Sequence, residues 1–285
     1  MITSSCNPAS SLRPLSGRSR RKFLLLAPTT AARSHTRPKS APQTCRDLIR
    51  QLQALRGSVY VKESFLRPED LRHGRHRSSV DEASWHLLLQ DSDGRVCGCI
   101  RYRECGNNVD FSQLLLANSP LAHSNEWGYR LETAVEEELN IARMFKLPYV
   151  EVGGWALAEH VRGTSDAVRM ALATYGLSQL LGGAVGISTA RQNGSGPVLR
   201  KIGGRLLEHQ GQPFPPYHDP SYRCMIEILR FYSWAPSRRF ESWIEEIKAE
   251  LCEADVLTAA PQELRASVAP YWFAEHSSHS HLKVS

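Results

Sequence analysis

The stretch Tyr149–Leu177, YVEVGGWALAEHVRGTSDAVRMALATYGL, carries the order of elements that decides the fold. Its first nine residues are mostly apolar, β-branched or aromatic, which predicts a strand. Small residues and Arg162 follow, and an apolar run with helical spacing predicts a helix over about residues 165–181. The stretch therefore predicts a strand, a turn led by an arginine, and a helix.

The turn at Arg162 has two interpretations. A helix that begins near Ser165 leaves its first backbone N–H groups without intrahelical partners, and the helix dipole favours an anion there. The residues at this turn are small enough for a phosphate oxygen to approach: Gly163, Thr164, Ser165 and Ala167. Arg162 would add a cation, whereas Asp166 would repel an anion unless its carboxylate pointed away. In the alternative, Thr164 or Ser165 simply caps the helix and nothing binds.

The elements on either side predict the fold class. Two apolar runs flank the turn DSDG at residues 91–94, which predicts a β-hairpin. Helices are expected over about residues 45–55, before Pro148 and in the C-terminal segment FESWIEEIKAELC, with strands and helices alternating in the second half. Alternation favours parallel pairing, and a hairpin requires antiparallel pairing. We therefore expect a mixed α/β sheet of about six to seven strands with helices on both faces.

The basic charge of the chain is concentrated at its N-terminus. The formal net charge is +6, but residues 1–46 contain nine Lys and Arg and no acidic residue. Residues 47–285 contain 26 basic and 29 acidic side chains, so the body does not have the charge of a nucleic-acid-binding protein. We expect residues 1–45 to be a disordered extension, residues 46–255 one domain, and residues 256–285 a C-terminal tail.

The extension also resembles two kinds of targeting signal. An acid-free segment rich in Arg and Ser is typical of organelle transit peptides, and SRRKFL at residues 19–24 resembles a twin-arginine export signal. The apolar run that follows, FLLLA, is shorter than the roughly 7–15 residues of a signal core. We therefore expect a cytoplasmic protein that does not insert stably into a membrane, and the extension to be dispensable or an over-extended start.

Seven cysteines indicate neither a disulfide framework nor a metal site. The number is odd and the chain is long. Cys97 and Cys99 alternate in a predicted strand, which would place both thiols on one face. Two further ligands at compatible spacing are missing nearby, so we expect buried reduced thiols and no metal.

The order of elements around Arg162 resembles the GCN5-related N-acetyltransferase superfamily. The pyrophosphate loop of that superfamily reads Gln/Arg-x-x-Gly-x-Gly/Ala, and residues 162–167 read RGTSDA here. The first and last positions match, and Ser165 replaces the middle glycine. The resemblance covers about residues 46–232 and implies a partly splayed sheet that binds acyl-coenzyme A.

A closer resemblance within the superfamily is to acyl-homoserine-lactone synthases and long-chain N-acyl amino acid synthases. The segments that carry it are LRGSVYVKESF, DEASWHLLLQDSDGRVCGCIRYR and VEVGGWALAEHVRGT. Gly153 and Gly154 stand where lactone synthases usually carry an arginine after the strand glutamate. Leu199 stands where acetyltransferases carry a tyrosine in the last helix.

The resemblance implies where a thioester donor would lie. The pantetheine arm would pair with the strand before the phosphate loop, where Gly153 and Gly154 suit a β-bulge. A backbone N–H freed near Trp155 would stabilise the oxyanion, and Leu157 and Asn193 would lie beside the donor. Glu151, in mid-strand, is the expected general base, and its alternative role is an ion pair with an arginine of a neighbouring strand such as Arg101.

The acceptor amine is assigned more loosely. Arg56 and Arg101 are candidates for binding an acceptor carboxylate, with exposed surface arginines as the alternative. Trp85 is a candidate wall of an acyl pocket, although core packing is the more frequent role of such a residue. The cationic loop DLRHGRHR, residues 70–77, either closes over a substrate or is a solvated loop.

These residues favour an N-acyltransferase. It would move an acyl group from the phosphopantetheine thioester of acyl-coenzyme A or acyl carrier protein to the amine of an amino acid or similar small molecule. Basic residues near the last helix would suit an acidic carrier protein. Two alternatives remain open: an acetyl-coenzyme A-dependent N-acetyltransferase, and a degenerate module that binds an acyl thioester without catalysis.

Overall fold

The structure is a computed structural model that describes residues 21–31, 34–106 and 108–261. Five α-helices lie within these ranges: α1 (Pro42–Lys62), α2 (Gly128–Met144), α3 (Ser165–Leu180), α4 (Ser195–Ile202) and α5 (Glu241–Glu253). The strands are β1 (Lys22–Ala27), β2 (Lys39–Ser40), β3 (Trp85–Gln90), β4 (Val96–Glu104), β5 (Tyr149–Leu157), β6 (Val185–Arg191), β7 (Arg205–Leu206), β8 (Glu208–His209), β9 (Gln212–Pro213), β10 (Tyr217–Asp219), β11 (Cys224–Tyr232) and β12 (Asp255–Thr258).

One mixed sheet forms the centre of the protein. Its strand order is β10-β11-β6-β5-β4-β3-β1-β12-β2, with β7 added to β11, and β8 and β9 pair separately. β5 runs parallel to β6, and β12 runs parallel to both β1 and β2, whereas the other pairs are antiparallel. The mixed sheet is confirmed, and it has ten strands instead of six to seven because both ends of the domain add strands to one edge.

Helices cover both faces of the sheet, as expected. Alternate residues of β1 divide between two apolar clusters: Leu24 packs with α1, and Leu25 packs with α3 and α5. Tyr149 and Val150 of β5 divide in the same way between α2 on one face and α3 on the other. The period of two in these strands therefore builds two cores from one sheet.

The expected disordered extension is wrong for the part of residues 1–45 that the structure describes. The run FLLLA is strand β1, inserted between β3 and β12, and its side chains are buried. A run too short for a signal core has the right length for a strand buried on both faces, and periodicity alone does not reveal its partners. Residues 1–20 lie outside the described residues.

Two further boundaries differ from expectation. α1 starts at Pro42 and continues to Lys62, so it includes the segment Val59–Val61 beyond the predicted helix end near residue 55. Residues 255–258 form β12 instead of beginning a tail, because β1 offers them a parallel edge. The expected tail beyond residue 261 lies outside the described residues.

The predicted hairpin is present, and it contains a bulge that separates the two thiols. Gln90 pairs with Val96 and Leu89 pairs with Gly98, which leaves one extra residue, Cys97, on β4. Cys97 packs in the cluster of Leu89, whereas Cys99 packs on the opposite face with α1. The expectation that both thiols share a face is therefore wrong, because a bulge reverses the alternation.

Both thiols are nevertheless buried and reduced, as expected. Burial raises the pKa of each to about 11. In the described part of the chain, no group of three or more His, Cys, Asp or Glu side chains is placed to hold a metal ion. None of the helices within the described ranges combines the length and apolarity needed to cross a bilayer.

Candidate functional site

The central feature of the site is a separation between two parallel strands. β5 and β6 pair only where Tyr149–Glu151 lie beside Val185–Ile187. Residues 152–157 and 188–191 continue past that point along the two walls of one cleft of about 1120 Å³. The cleft thus opens at the carboxyl ends of parallel strands, the usual place for ligands in open α/β sheets.

A β-bulge lies in the wall formed by β5, as the glycine pair predicted. Cys99 pairs with Ala156 and Arg101 pairs with Gly153, so β5 holds one residue more than β4. Gly154 has a φ of +62°, and a Cβ there would lie 3.1 Å from Arg56 Nη1. Glycine is therefore needed for both the backbone conformation and the close approach.

The turn after β5 faces the same cleft. Leu157, Arg162, Gly163 and Ala167 all line it, and Gly163 has a φ of +73°. Thr164 is the N-cap of α3, but its side chain makes no capping bond, and Thr164 Oγ1 donates to Val161 O at 2.6 Å. No side-chain cap therefore covers the first N–H groups of α3.

Asp166 does not face the cleft with the rest of this turn, contrary to its assignment beside the donor. Its side chain is buried, with Oδ2 2.6 Å from Arg21 Nη1 and Oδ1 paired with Arg169. The carboxylate points away from the turn, which removes its repulsion of an anion. The sequence could not reveal this arrangement because Arg21 precedes β1, in the segment expected to be disordered.

An internal carboxylate occupies the cationic mouth of the cleft. Glu63, the residue after α1, pairs through Oε1 with Arg162 and through Oε2 with Arg191 Nη1 at 3.0 Å. Arg162 Nε also donates to Leu157 O at 3.1 Å. Burial alone would raise the pKa of Glu63, but the two arginines outweigh it and hold that pKa below its ordinary value. Glu63 thus pairs with both arginines at this end of the cleft.

Arg56 is not available to a substrate. It is fully buried, with Nη1 2.9 Å from Asp81 Oδ1 and Nη2 2.6 Å from Asp81 Oδ2, and Nη2 also donates to His76 O at 3.0 Å. Its assignment to the acceptor is therefore wrong. Arg56 instead ties α1 to the loop before β3 by a buried bidentate pair.

Of the two arginines assigned to the acceptor, Arg101 is the one that lines the cleft. Its side chain is 11% exposed, and Nη1 donates to Ser78 Oγ at 2.9 Å. The nearest carboxylate oxygen among the described residues, Asp81 Oδ1, is 3.9 Å from Arg101 Nη1 and already accepts from Arg56. Burial, and then the charge of Arg56, lower the pKa of Arg101. Arg101 Nε is buried and has no hydrogen-bond partner among the described residues.

Glu151 lies in the cleft wall but is held by other groups. Arg103 Nη1 donates to Oε2 at 2.6 Å, and Leu116 N donates to Oε1 at 3.2 Å. Arg103 is its direct neighbour on β4. The contact is the ion pair that was the alternative to catalysis, made with Arg103 instead of Arg101, and a catalytic role of Glu151 stays a prediction.

The remaining predicted residues divide between the cleft, the core and the surface. Trp155 is half-buried in the cleft wall, and its Nε1 has no hydrogen-bond partner in the described part of the chain. Trp85 is 1% exposed and packs in the central core, so its assignment to an acyl pocket is wrong. Asn193 is exposed in the turn before α4, outside the residues that line the cleft.

Two tyrosines that sequence reasoning missed, Tyr60 and Tyr222, meet His76 of the cationic loop at the cleft, and we call these three residues the aromatic cluster. The ring centroids of Tyr60 and His76 are 5.0 Å apart, and those of Tyr60 and Tyr222 are 6.0 Å apart. Tyr222 Oη lies 3.5 Å from His76 Nε2. All three line the cleft, together with much of the cationic loop, so that loop does cover the site.

A small apolar recess adjoins the cleft on the α3 face of the sheet. It has a volume of about 30 Å³ and shares four lining residues with the cleft: Val152, Thr174, Ser188 and Leu199. Ala184 and Gly186 of the small-residue segment around β6 also line it. The recess therefore extends the cleft beside the small residues of β6.

No family model and no curated protein sequence matches the chain. Among solved structures, it is similar to FeeM, an N-acyl amino acid synthase from uncultured soil microbes, with 12% identity, TM-score 0.45, and coverage of 75% of this chain and 91% of that one. It is also similar to the coenzyme A-dependent acyl-homoserine lactone synthases MesI (13% identity, TM-score 0.48, 80% and 95% covered) and BjaI (15%, 0.45, 78% and 92%). The likeness to each of these three proteins is one of overall fold.

Proposed function

We propose that the protein is an N-acyltransferase that moves an acyl group from a phosphopantetheine thioester to the amine of an amino acid or similar small molecule. The observation that carries this proposal is the separation of β5 from β6 beside a glycine bulge. It leaves the edge of a strand, a cationic turn and a buried arginine along one cleft.

The donor would bind along β5. A pantetheine arm carries two amides, and these can pair with the edge of residues 152–157 as a short added strand. Its phosphate end would then reach Arg162, Gly163 and the uncapped start of α3. Glu63 must leave Arg162 as the phosphate arrives, because both anions use the same guanidinium.

The bulge supplies the electrostatic part of the reaction. The amine nitrogen attacks the thioester carbon, and negative charge develops on the carbonyl oxygen before the carbon–sulfur bond breaks. The backbone N–H of Trp155, beside the extra residue of β5, is the proposed donor to that oxygen. A fixed backbone donor needs no reorganisation during the reaction, which is why such groups stabilise oxyanions well.

Arg101 would hold the acceptor. Its guanidinium is buried, faces the cleft and lacks a carboxylate of its own, so a carboxylate-bearing amine would offset the cost of burying it. Gly153 is its partner on β5, and a Cβ there would lie 3.5 Å from Arg101 Nη2. An acceptor on Arg101 would therefore lie beside the bulge where the thioester carbonyl is expected.

The small recess supports an acetyl-coenzyme A-dependent N-acetyltransferase as the second candidate. A volume of about 30 Å³ accepts a methyl group without rearrangement. Leu199 lines this recess. The same Leu199, in the position of the usual tyrosine, favours the third candidate, a binding module without catalysis, since no phenol stands there to protonate the departing thiolate.

The source of the donor is a separate part of the proposal. Arg200 pairs with Glu227 and Arg191 with Glu63, whereas Lys201 and Arg205 have no ion pair among the described residues. This partly neutralised basic rim would suit an acidic acyl carrier protein and also the phosphates of coenzyme A.

Release of free thiol from a panel of donors and acceptors tests the proposal. Purified protein is mixed with acetyl-, octanoyl- or palmitoyl-coenzyme A, or octanoyl carrier protein, and each of the amino acids. Acceptor-dependent thiol release with octanoyl or palmitoyl donors supports the first candidate, and release with acetyl donors alone supports the second. If calorimetry detects donor binding but no pair of donor and acceptor releases thiol, both acyltransferase candidates are wrong. The third candidate, a binding module without catalysis, would then be supported.

A further inference from the structure

Among the described residues, His76 is the side-chain base of the cleft that has no ion pair. Four carboxylates of the described residues line it, and each already accepts hydrogen bonds or ion pairs. Glu63 pairs with two arginines, and Glu151 accepts from Arg103 and Leu116 N. Asp70 and Asp219 accept from nearby backbone N–H groups. His76 has no ion pair among the described residues, and it lines the same cleft.

The backbone fixes the position of His76. Its N–H donates to Gln53 O of α1 at 3.0 Å, and its carbonyl oxygen accepts from Arg56 Nη2 at 3.0 Å. Arg56 in turn lies against Gly154 of the bulge. These contacts connect the imidazole to the place where the amine and the thioester carbonyl are expected to meet. Since Nδ1 is buried without a partner in the described part of the chain, Nε2, facing Tyr222, is the nitrogen that acts.

We propose that His76 Nε2 takes the proton that the acceptor amine loses, and that the acceptor's own carboxylate on Arg101 prepares the imidazole for this step. The proposal rests on the proposed N-acyltransferase function. The amine nitrogen forms a bond to the thioester carbon, and the carbon–sulfur bond breaks with its electron pair on sulfur. The N–H proton moves to His76 Nε2 and then from the imidazolium to the thiolate, so no other reactant is required.

The charges around His76 explain why the acceptor matters. The charged and titratable groups near the imidazole come from four segments of the chain. They are Arg56 and Tyr60 of α1, Asp81 of the loop before β3, Arg101 of β4, and Tyr222 before β11. Burial, and then the charge of Arg56, lower the pKa of His76 to about 4. The imidazole is therefore neutral at neutral pH but a weak base in the free protein.

A bound carboxylate changes that balance. In the free protein, two positive groups, Arg56 and Arg101, and one negative group, Asp81, act on His76. An anion bound to Arg101 would make the positive and negative charges equal in number. Nearby negative charge favours the imidazolium, so the pKa of His76 rises toward its ordinary value of 6.5. His76 thus becomes an effective base only when an acceptor with a carboxylate is in place.

A titration of the histidine resonances tests this without requiring turnover. The full-length protein with ¹⁵N-labelled histidine is followed between about pH 5 and 8, the range of ordinary histidine titration. The probes are glycine and methylamine, which differ by the carboxylate, and the spectrum of His76→Ala assigns the signal. We expect His76 to titrate in this range with saturating glycine and to stay neutral with methylamine or no ligand. Identical titration under all three conditions would overturn the proposal.

Rescue of a variant tests the proton transfer itself. His76→Ala keeps both backbone bonds, and we expect thiol release to fall by roughly 10²–10⁴, the usual contribution of a general base. Added imidazole should restore part of the rate, which a purely structural role would not allow. His73→Asn is the matched control, since His73 lies exposed in the same loop with a φ of +54° that asparagine tolerates.

The two levels of the proposal fail differently. Wild-type turnover with an undiminished His76→Ala rate, or a slow variant that imidazole does not rescue, would overturn the role of His76 and leave the acyltransferase standing. Absence of thiol release from the wild type with any donor and acceptor would refute the acyltransferase, and the role of His76 with it.

Discussion

Arg162 and Arg101 lie in the same cleft, but only one of them is neutralised by the protein. Arg162 is at the mouth, a third exposed, and pairs with Glu63. Arg101 is deeper, with a side chain 11% exposed, and the nearest carboxylate among the described residues is that of Asp81, 3.9 Å away and also paired with Arg56. A cationic cleft can therefore contain two kinds of anion site. In one, an internal carboxylate that can exchange pairs with the arginine, and in the other, a ligand would supply the carboxylate.

The depth of each arginine decides what its charge does. Water screens the pair at the mouth, so it contributes little to stability and its partner can exchange. Around Arg101, burial lowers the pKa of the guanidinium, and the protein tolerates that cost beside a buried Arg56–Asp81 pair. The following four predictions test this contrast.

The largest effect is expected at Asp81. Asp81→Asn leaves Arg56 buried without its counter-charge and removes the carboxylate nearest to Arg101. We expect the free energy of unfolding in urea to fall by about 3–5 kcal/mol, as for other broken buried pairs. Asp70→Asn, in an exposed pair with Arg223, should change it by less than about 0.5 kcal/mol. Equal losses in the two variants would contradict the distinction between the two regions.

Substitution of Arg101 should affect the acceptor alone. Arg101→Gln removes the charge that would hold a carboxylate, and we expect the acceptor KM to rise roughly 10- to 100-fold, the effect of losing a charged hydrogen bond. The donor KM should stay unchanged, and Arg101→Lys should recover only part of the loss because it lacks the planar fork. Arg95→Gln, on the exposed hairpin turn, is the control. If the donor KM rose together with the acceptor KM, Arg101 would serve both substrates, and the assignment of separate sites would be wrong.

Substitution of Arg162 should affect the donor alone. Its expected partner is a phosphate far from the reacting carbon, so Arg162→Ala should raise the donor KM roughly tenfold and leave kcat nearly unchanged. Steady-state kinetics at saturating acceptor measure both constants. A fall in kcat with an unchanged donor KM would show that the phosphate does not bind at this turn.

The smallest effect has the opposite sign. Glu63→Gln keeps the shape of the side chain but ends its competition with phosphate, so we expect the donor KM to fall a few-fold, within the range of a partly exposed pair. Glu159→Gln, whose exposed partner is Lys62, should leave the KM unchanged. Weaker donor binding by Glu63→Gln would mean that Glu63 positions the arginines instead of competing.

The pH dependence of that variant has a defined sign. Because the pKa of Glu63 is lowered in the folded protein, the carboxylate stays ionised at neutral pH and competes there. As the pH falls through this lowered pKa, wild-type Glu63 becomes neutral and the competition ends. Donor binding by the wild type and by Glu63→Gln should therefore differ above the ordinary carboxyl pKa and converge as the pH falls below it.

Local patterns predicted the parts of the site that depend on neighbours in sequence. The hairpin around residues 91–94, the bulge at Gly153–Gly154 and the turn at Arg162 follow from glycines, small residues and strand periodicity, and all three are present. Asp166, Arg56 and Trp85 were misassigned because their partners are distant in the chain. Each is chemically suited to a site, and only packing placed each one in the interior.

From the sequence alone, the mixed sheet, the hairpin and a strand–turn–helix with Arg162 in its turn could be predicted, whereas the missing side-chain cap of α3 became visible only in the folded protein. The predicted elements depend on backbone preferences and apolar spacing, which act over a few residues. Only long-range packing inserts the run FLLLA into the sheet, pairs Glu63 with Arg162, and brings His76 against Arg56 in the cleft that Arg101 also lines. Local charge, burial and proton affinity depend on which side chains are in contact. Those contacts form between residues that are far apart in the chain, so local sequence patterns do not predict them.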